Sequence, residues 1–143
     1  MKHFYYFSAI LVFIIGGCAS QNSLTKYENT EIIFGSGGGF SGQVIEYSIS
    51  TDRVITSTNS LTKETKTIGK LSKKKTIQLY DELNELKLPL VNYDKPGNMS
   101  YFVKQVKGNK EAKVVWGDIN GDFPKDVKAY YDLLMSIVNE INN

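Results

Sequence analysis

The sequence predicts an α+β domain: an antiparallel sheet of about five to six strands with two helices packed on one face. Residues 43–50 alternate apolar and polar side chains with the period of two that a half-buried strand shows. Apolar side chains between 127 and 141 recur instead at helical spacing. Short turns between neighbouring strands favour antiparallel pairing, and the element order β-β-β-(β)-α-β-β-α favours a sheet covered by helices.

Four strands are predicted in the first half of the folded region. A short strand covers 31–34, and the alternating segment 43–50 is the second. Thr51 and Asp52 suit a turn, after which 53–58 continues as a third strand. Residues 62–70 are rich in threonine, which favours strands because it is β-branched, and form a candidate fourth strand.

Two helices and a hairpin follow. Ser72 is a suitable N-cap for the first helix, which Pro89 ends. Strands 101–107 and 111–116 are joined by the turn residues 108–110. The last helix is the clearest element, because its apolar residues form one core-facing stripe: Val127, Tyr130, Tyr131, Leu134, Val138 and Ile141.

The first 17 residues have the features of a secretory signal peptide. Lys2 precedes an uncharged, mostly apolar run at 4–15, which is shorter than the roughly 20 residues that span a bilayer. The sequence Ile-Gly-Gly-Cys at 15–18 resembles the lipobox of bacterial lipoproteins, and this resemblance implies cleavage before Cys18 and acylation of its thiol and new amino group. The alternative is a buried N-terminal helix with Cys18 in the core.

The sequence therefore predicts three segments: a signal peptide at 1–17, a flexible tether at 18–30 and a single α+β domain at 31–143. Acyl chains on Cys18 would hold the domain at a membrane surface of the cell envelope. Residue 19 is Ala and not Asp, which favours the outer membrane if the host has two membranes.

The composition restricts the classes of function that the chain can have. Removal of residues 1–17 removes Lys2 and the only histidine, His3, so the formal charge falls from +2 to +1. Without histidine or a free thiol, the mature chain lacks Ser-His-Asp and Cys-His catalysis and histidine-ligated metal sites. A charge near zero argues against nucleic acid as the partner. We expect a protein that binds a protein partner, without a cofactor, and is not an enzyme.

The glycine-rich stretch 34–44 matches a nucleotide-binding pattern, because Gly37, Gly39 and Gly42 read G-x-G-x-x-G. A dinucleotide site needs a helix after the glycines, whereas a predicted strand follows here. The G-x-G-x-x-G-x-V of protein kinases lies between strands, but the other kinase motifs do not follow. The glycines therefore predict a wide hairpin or a bulge, in which positive φ and close backbone approach are needed.

Phe40 has two interpretations. It either folds back as a lid on the core, which we favour on the sequence, or it points outward and makes the loop tip a contact surface. The outward interpretation gives these candidate partner-binding residues: Gly37, Gly38, Gly39, Phe40 and Gly42.

The arrangement of these residues resembles the emfourin family of small bacterial domains. The matching positions include the Gly-Gly-Phe-x-Gly core and, along the chain, Ile32, Phe34, Gly38, Gly39, Phe40, Gly42, Tyr47, Tyr101, Val103, Trp116, Asp118 and Pro124. Some family members inhibit thermolysin-like metalloproteases of the protealysin type, so the resemblance implies an inhibitor-like fold and a metalloprotease as a possible partner. Family members are usually bare domains, whereas this chain has a lipoprotein signal and a longer glycine run.

Three clusters of charged or polar residues are further candidate functional sites. Asp118, Asn120 and Asp122 resemble the start of a calcium loop, but the glycine and glutamate that an EF-hand requires are missing. Helix capping is the simpler interpretation, and a looser calcium site that also uses Asp126 is the alternative. Residues 73–75 are three lysines, which are either solvated, as we favour, or face anionic lipid. The acids Asp81, Glu82 and Glu85 lie on one polar helix face: paired carboxylates can hydrolyse glycosides, but solubilising acids are commoner there.

Overall fold

The computed structural model describes residues 23–117 and 123–143. Within these residues the domain contains seven strands and two helices. In chain order they are β1 (Thr30–Gly38), β2 (Gln43–Ile49), β3 (Val54–Asn59), β4 (Thr65–Lys70), α1 (Lys73–Leu86), β5 (Asp94–Lys95), β6 (Met99–Lys107), β7 (Lys110–Trp116) and α2 (Lys125–Asn142). Short 3-10 turns lie at Leu24–Tyr27 and Leu88–Leu90.

The α+β class with two helices is confirmed, and the sheet is larger than predicted. All seven strands belong to one sheet in the order β4-β3-β2-β1-β6-β7-β5. The additional strand is β5, which has two residues and pairs parallel with β7, whereas the other neighbours pair antiparallel. A two-residue strand has no alternation to detect, so periodicity could not reveal it. β1 is also longer than predicted, because it continues through the glycines to Gly38.

One apolar cluster joins the sheet to both helices. Phe34 pairs with Tyr47 on one side and Val103 on the other, so these side chains lie on the same face of the sheet. This face and the inner faces of the helices share the fully buried residues Ile32, Phe34, Ile49, Val103, Val114, Leu79, Tyr80, Leu83, Val127, Leu134 and Val138. Their burial is the dominant favourable contribution to the stability of the domain.

Two buried tyrosines connect the layers by hydrogen bonds. The Tyr80 hydroxyl of α1 lies 2.9 Å from the carbonyl oxygens of Thr30 and Ile49, where β1 begins and β2 ends. The Tyr130 hydroxyl of α2 donates to the Leu79 carbonyl oxygen at 2.8 Å. Burial raises the pKa of both hydroxyls, so they stay neutral donors at physiological pH.

The N-terminal turn, residues 23–29, is folded against α1. The Ser23 hydroxyl accepts from the Thr25 amide and caps the 3-10 turn. The Tyr27 ring stacks on Tyr80 with 5.0 Å between centroids, and its hydroxyl donates to the Asp81 carboxylate. Lys26 Nζ lies 2.6 Å from the same carboxylate.

The prediction of a flexible tether at 18–30 is therefore wrong for 23–30. Polar composition suggested a tether, but Leu24 and Tyr27 pack against the core, and Thr30 is buried as the first residue of β1. Residues 18–22, the predicted signal peptide and Cys18 lie outside the described residues, as do Asp118, Asn120 and Asp122. Within 23–117 and 123–143, no helix is long and apolar enough to cross a bilayer.

The sheet has two ends that differ in character. At the N-terminal end, β1 begins beside the β2–β3 turn and the β6–β7 hairpin, as the pairs Ile32–Ile49 and Thr30–Lys107 show. At the loop end, β1 passes into the glycine loop beside the start of β6 and the β3–β4 turn. The nine residues of β1 separate the two ends by about 30 Å.

Candidate functional site

The glycine loop is a four-residue connection, residues 39–42, between β1 and β2. The Gly39 amide donates to the Asn98 carbonyl oxygen at 2.6 Å, and the Gly42 amide donates to the Gly39 carbonyl oxygen at 3.3 Å. The Ser41 hydroxyl accepts from the Gln43 amide at 3.2 Å. These bonds fix the loop to itself and to the segment before β6, and the predicted wide hairpin is confirmed.

Glycine is required where the loop turns. Gly38 has a φ of 115°, and a Cβ atom at this position would lie 2.4 Å from the Asn98 carbonyl oxygen. Gly42 has a φ of 62° with open space around it, so here only the backbone conformation favours glycine. Gly37 lies within β1, Gly38 ends that strand, and the remaining candidates, Gly39, Phe40 and Gly42, lie in the loop.

Phe40 is on the surface, so the favoured interpretation of this side chain as a lid on the core is wrong. Its relative exposure is 111%, that of a side chain with no neighbours. The core needs no lid, because aromatic side chains already fill it at this end of the sheet. Tyr131 contacts the rings of Phe34, Tyr101 and Trp116 edge to face, with centroids 5.3 to 6.5 Å apart.

Two further apolar side chains are exposed at the loop end. Met99 pairs with Gly38 in the sheet and is 41% exposed. Leu61, which is 60% exposed, lies in the β3–β4 turn, and the neighbouring Ser60 is bonded through its amide and hydroxyl to Val44 of β2. We define the loop-end surface as residues 39–42 with Leu61 and Met99.

Sequence reasoning missed Leu61 and Met99. Both are single apolar residues among polar ones, and such residues are common on protein surfaces. Only the sheet topology brings them to the end that carries Phe40. The exposed side chains are large and lie outside the core, and hydrogen bonds hold the backbone that carries them. Such side chains are suited to docking into a pocket of a partner.

The acids of α1 lie in two different environments. Hydrogen bonds from Lys26 and Tyr27 hold the pKa of the Asp81 carboxyl below its usual range, and the same contact with Asp81 raises the pKa of Lys26. Asp81 thus binds the N-terminal turn. Glu82 and Glu85 line an open groove between α1 and α2, together with Asp126.

Within 23–117 and 123–143, no three His, Cys, Asp or Glu side chains converge as metal ligands. The calcium prediction falls on residues 118–122, outside this part of the chain.

The chain was compared with known protein families and with curated proteins. No protein-family model matches the chain, and no curated protein matches it significantly. The resemblance to the emfourin family stays a prediction from the sequence pattern.

Proposed function

We propose that this chain is a lipid-anchored binding protein of the cell envelope and that its partner docks on the loop-end surface. The anchor is Cys18, acylated after cleavage of the signal peptide. The partner is a protein, and the resemblance to emfourins makes a thermolysin-like metalloprotease the first candidate. Binding, and not catalysis, is the proposed activity of the mature chain, which contains no histidine.

The observation that carries this proposal is the full exposure of Phe40 on an ordered loop. An exposed phenyl ring at a loop tip adds apolar area to water without adding contacts to the core, so it does not stabilise the fold. The same ring is a good binding anchor, because its two side-chain torsions lose little entropy and its loop is already fixed.

The test compares two exposed apolar residues at opposite ends of the sheet. Phe40→Ala removes the proposed anchor, whereas Leu90→Ala removes a side chain that is 79% exposed beside the N-terminal end. The acylated protein is used to capture partners from detergent-solubilised envelope. We expect Phe40→Ala to weaken capture at least about 30-fold, as loss of a binding hot spot does, and Leu90→Ala to leave it unchanged.

A panel of thermolysin-like proteases tests the inhibitory form of the proposal. We expect the wild-type protein to slow cleavage by at least one member and Phe40→Ala to restore most of the rate. The alternative is an accessory envelope lipoprotein without inhibitory activity. That protein would leave every protease in the panel at its full rate, whatever residue stands at position 40.

A further inference from the structure

The N-terminal end of the sheet carries an excess of positive charge. Several strands begin or end there with a basic residue, and α1 starts beside it, since the Leu71 amide donates to the Arg53 carbonyl oxygen at 2.8 Å. The basic residues are Arg53, Lys70, Lys73, Lys74, Lys75, Lys107 and Lys110. None of them forms an ion pair with a carboxylate among residues 23–117 and 123–143.

The acids at this end do not cancel that charge. Two of them are engaged elsewhere, because Asp81 pairs with Lys26 at 2.6 Å and Glu111 lies 3.9 Å from Lys104. Glu82 and Glu85 of α1 line the groove beside α2, and the other acids near these strand ends are Glu28, Glu31 and Asp52. The seven basic residues outnumber these three acids, and topology, not the lysine run at 73–75 alone, brings them together.

The folded N-terminal turn shortens the tether. Between Cys18 and Ser23 the chain has four residues, 19–22, so the acylated cysteine lies at most about 18 Å from Ser23 even when fully extended. A tether of all the residues at 18–30 would allow the domain to turn freely away from the bilayer. The short one keeps Ser23 within about 18 Å of the acylated cysteine, so the lysines can approach the headgroups to within the Debye length of about 8 Å at physiological salt, where surface charge is felt.

We propose that the basic N-terminal end lies against an anionic bilayer surface and that the loop-end surface consequently points away from the membrane, about 30 Å out. This inference rests on the proposed anchor at Cys18. The lipid chains supply the attachment, and the lysines set the orientation. A partner in the surrounding compartment then meets Phe40 first.

The chain allows a direct test, because Cys18 is its only cysteine and acylation leaves no free thiol. Asn109→Cys in the β6–β7 hairpin and Ser41→Cys in the glycine loop each give one site for a fluorophore. Full-length protein purified from the membranes of a bacterium that expresses it is placed on vesicles of phosphatidylcholine alone or mixed with an equal amount of phosphatidylglycerol. A nitroxide on the lipid headgroups quenches labels that lie near the surface.

We expect strong quenching of the label at 109 and weak quenching at 41 on the anionic vesicles, with the difference reduced by high salt. The variant Lys74→Gln/Lys107→Gln/Lys110→Gln should shift the balance of orientations about a hundredfold and remove the difference. Its control, Lys63→Gln/Lys95→Gln/Lys125→Gln, changes the net charge equally away from the N-terminal end and should keep it.

The outcomes separate the inference from the anchor. If the protein floats with both kinds of vesicle but the labels at 41 and 109 are quenched equally, the proposed anchor is supported and the proposed orientation is wrong. If the protein floats only with anionic vesicles and the label at 109 is quenched, the basic surface is supported and the proposed anchor is wrong. Failure to float on either kind overturns both.

Discussion

At the scale of single residues, two phenylalanines six positions apart have opposite roles. Phe34 is completely buried between the sheet and α2, whereas Phe40 is completely exposed at the loop tip. We expect Phe34→Ala to lower the free energy of unfolding by about 3–5 kcal/mol and Phe40→Ala to change it by less than about 0.5 kcal/mol. Urea unfolding followed by Trp116 fluorescence measures both. A decrease of more than about 1 kcal/mol in the free energy of unfolding of Phe40→Ala would show that this ring packs against the core.

The glycines of the loop differ in how strongly they are required. Gly38→Ala combines a positive φ with a clash against the Asn98 carbonyl oxygen, whereas Gly42→Ala has only the positive φ. We expect a cost of about 1–2 kcal/mol for Gly42→Ala and a larger one for Gly38→Ala, measured by urea unfolding. Equal costs would show that the contact with Asn98 relaxes freely.

The Tyr80 hydroxyl can be tested by a substitution that removes a single oxygen atom. Tyr80→Phe leaves the carbonyl oxygens of Thr30 and Ile49 without this donor in a buried site. The expected loss of stability is about 1–3 kcal/mol, with no change in partner binding at the loop end. A variant as stable as the wild type would mean that water or a shifted backbone replaces the hydroxyl.

At the scale of elements, the N-terminal turn is held by a titratable contact. The pKa of Asp81 is lowered in the folded protein, so the contact stabilises the docked turn above the ordinary pKa of an aspartate, about 4. That stability is lost as the pH falls through the lowered pKa. Because Lys26 and Asp81 are nearly half exposed, we expect a local effect and not global unfolding.

Nuclear magnetic resonance of the Tyr27 ring measures this prediction. Its signals should move from the stacked position only at a pH below the ordinary aspartate pKa. In Asp81→Asn they should already lie at the acid position at neutral pH. A midpoint at the ordinary value would show that the contact does not lower the pKa of Asp81, and an unchanged Asp81→Asn spectrum would show that stacking on Tyr80 alone holds the turn.

The elements also show what the sequence could predict. Strands β2, β3, β6 and β7 and both helices were predicted because each has a clear period and recognisable turn or cap residues, such as Ser72, which caps α1 through the Lys75 amide. The two-residue β5 and the 3-10 turn at 24–27 were missed. Both are too short for periodicity and depend on contacts with distant residues, Val115 for β5 and Asp81 for the turn.

The candidate site was predictable only in part. The sequence indicated the glycine loop, because glycines before an alternating strand require a turn, but it did not give the direction of Phe40. That direction depends on how completely Tyr101, Trp116 and Tyr131 close the core, which only the packed structure shows. Leu61 and Met99 join the site through strand register, which no local pattern carries.

At the scale of the whole molecule, the domain is polarised along β1. The N-terminal end is basic and close to the proposed anchor, and the loop end carries exposed apolar side chains. The two features suit different partners: an anionic surface attracts lysines through long-range charge, whereas an apolar pocket takes up a fixed aromatic ring. In detergent, where no bilayer orients the domain, substitutions at one end should therefore leave the affinity of the other end for its own partner unchanged.

Site-specific photocrosslinking in living cells tests the central claim most directly. A photoreactive phenylalanine analogue is placed at position 40 or, as a control, at position 90, in the otherwise unchanged acylated protein. Our account predicts one discrete protein adduct from position 40 and none of the same mass from position 90. Absence of an adduct at position 40, or the same adduct from both positions, would contradict the assignment of the loop end as the partner surface.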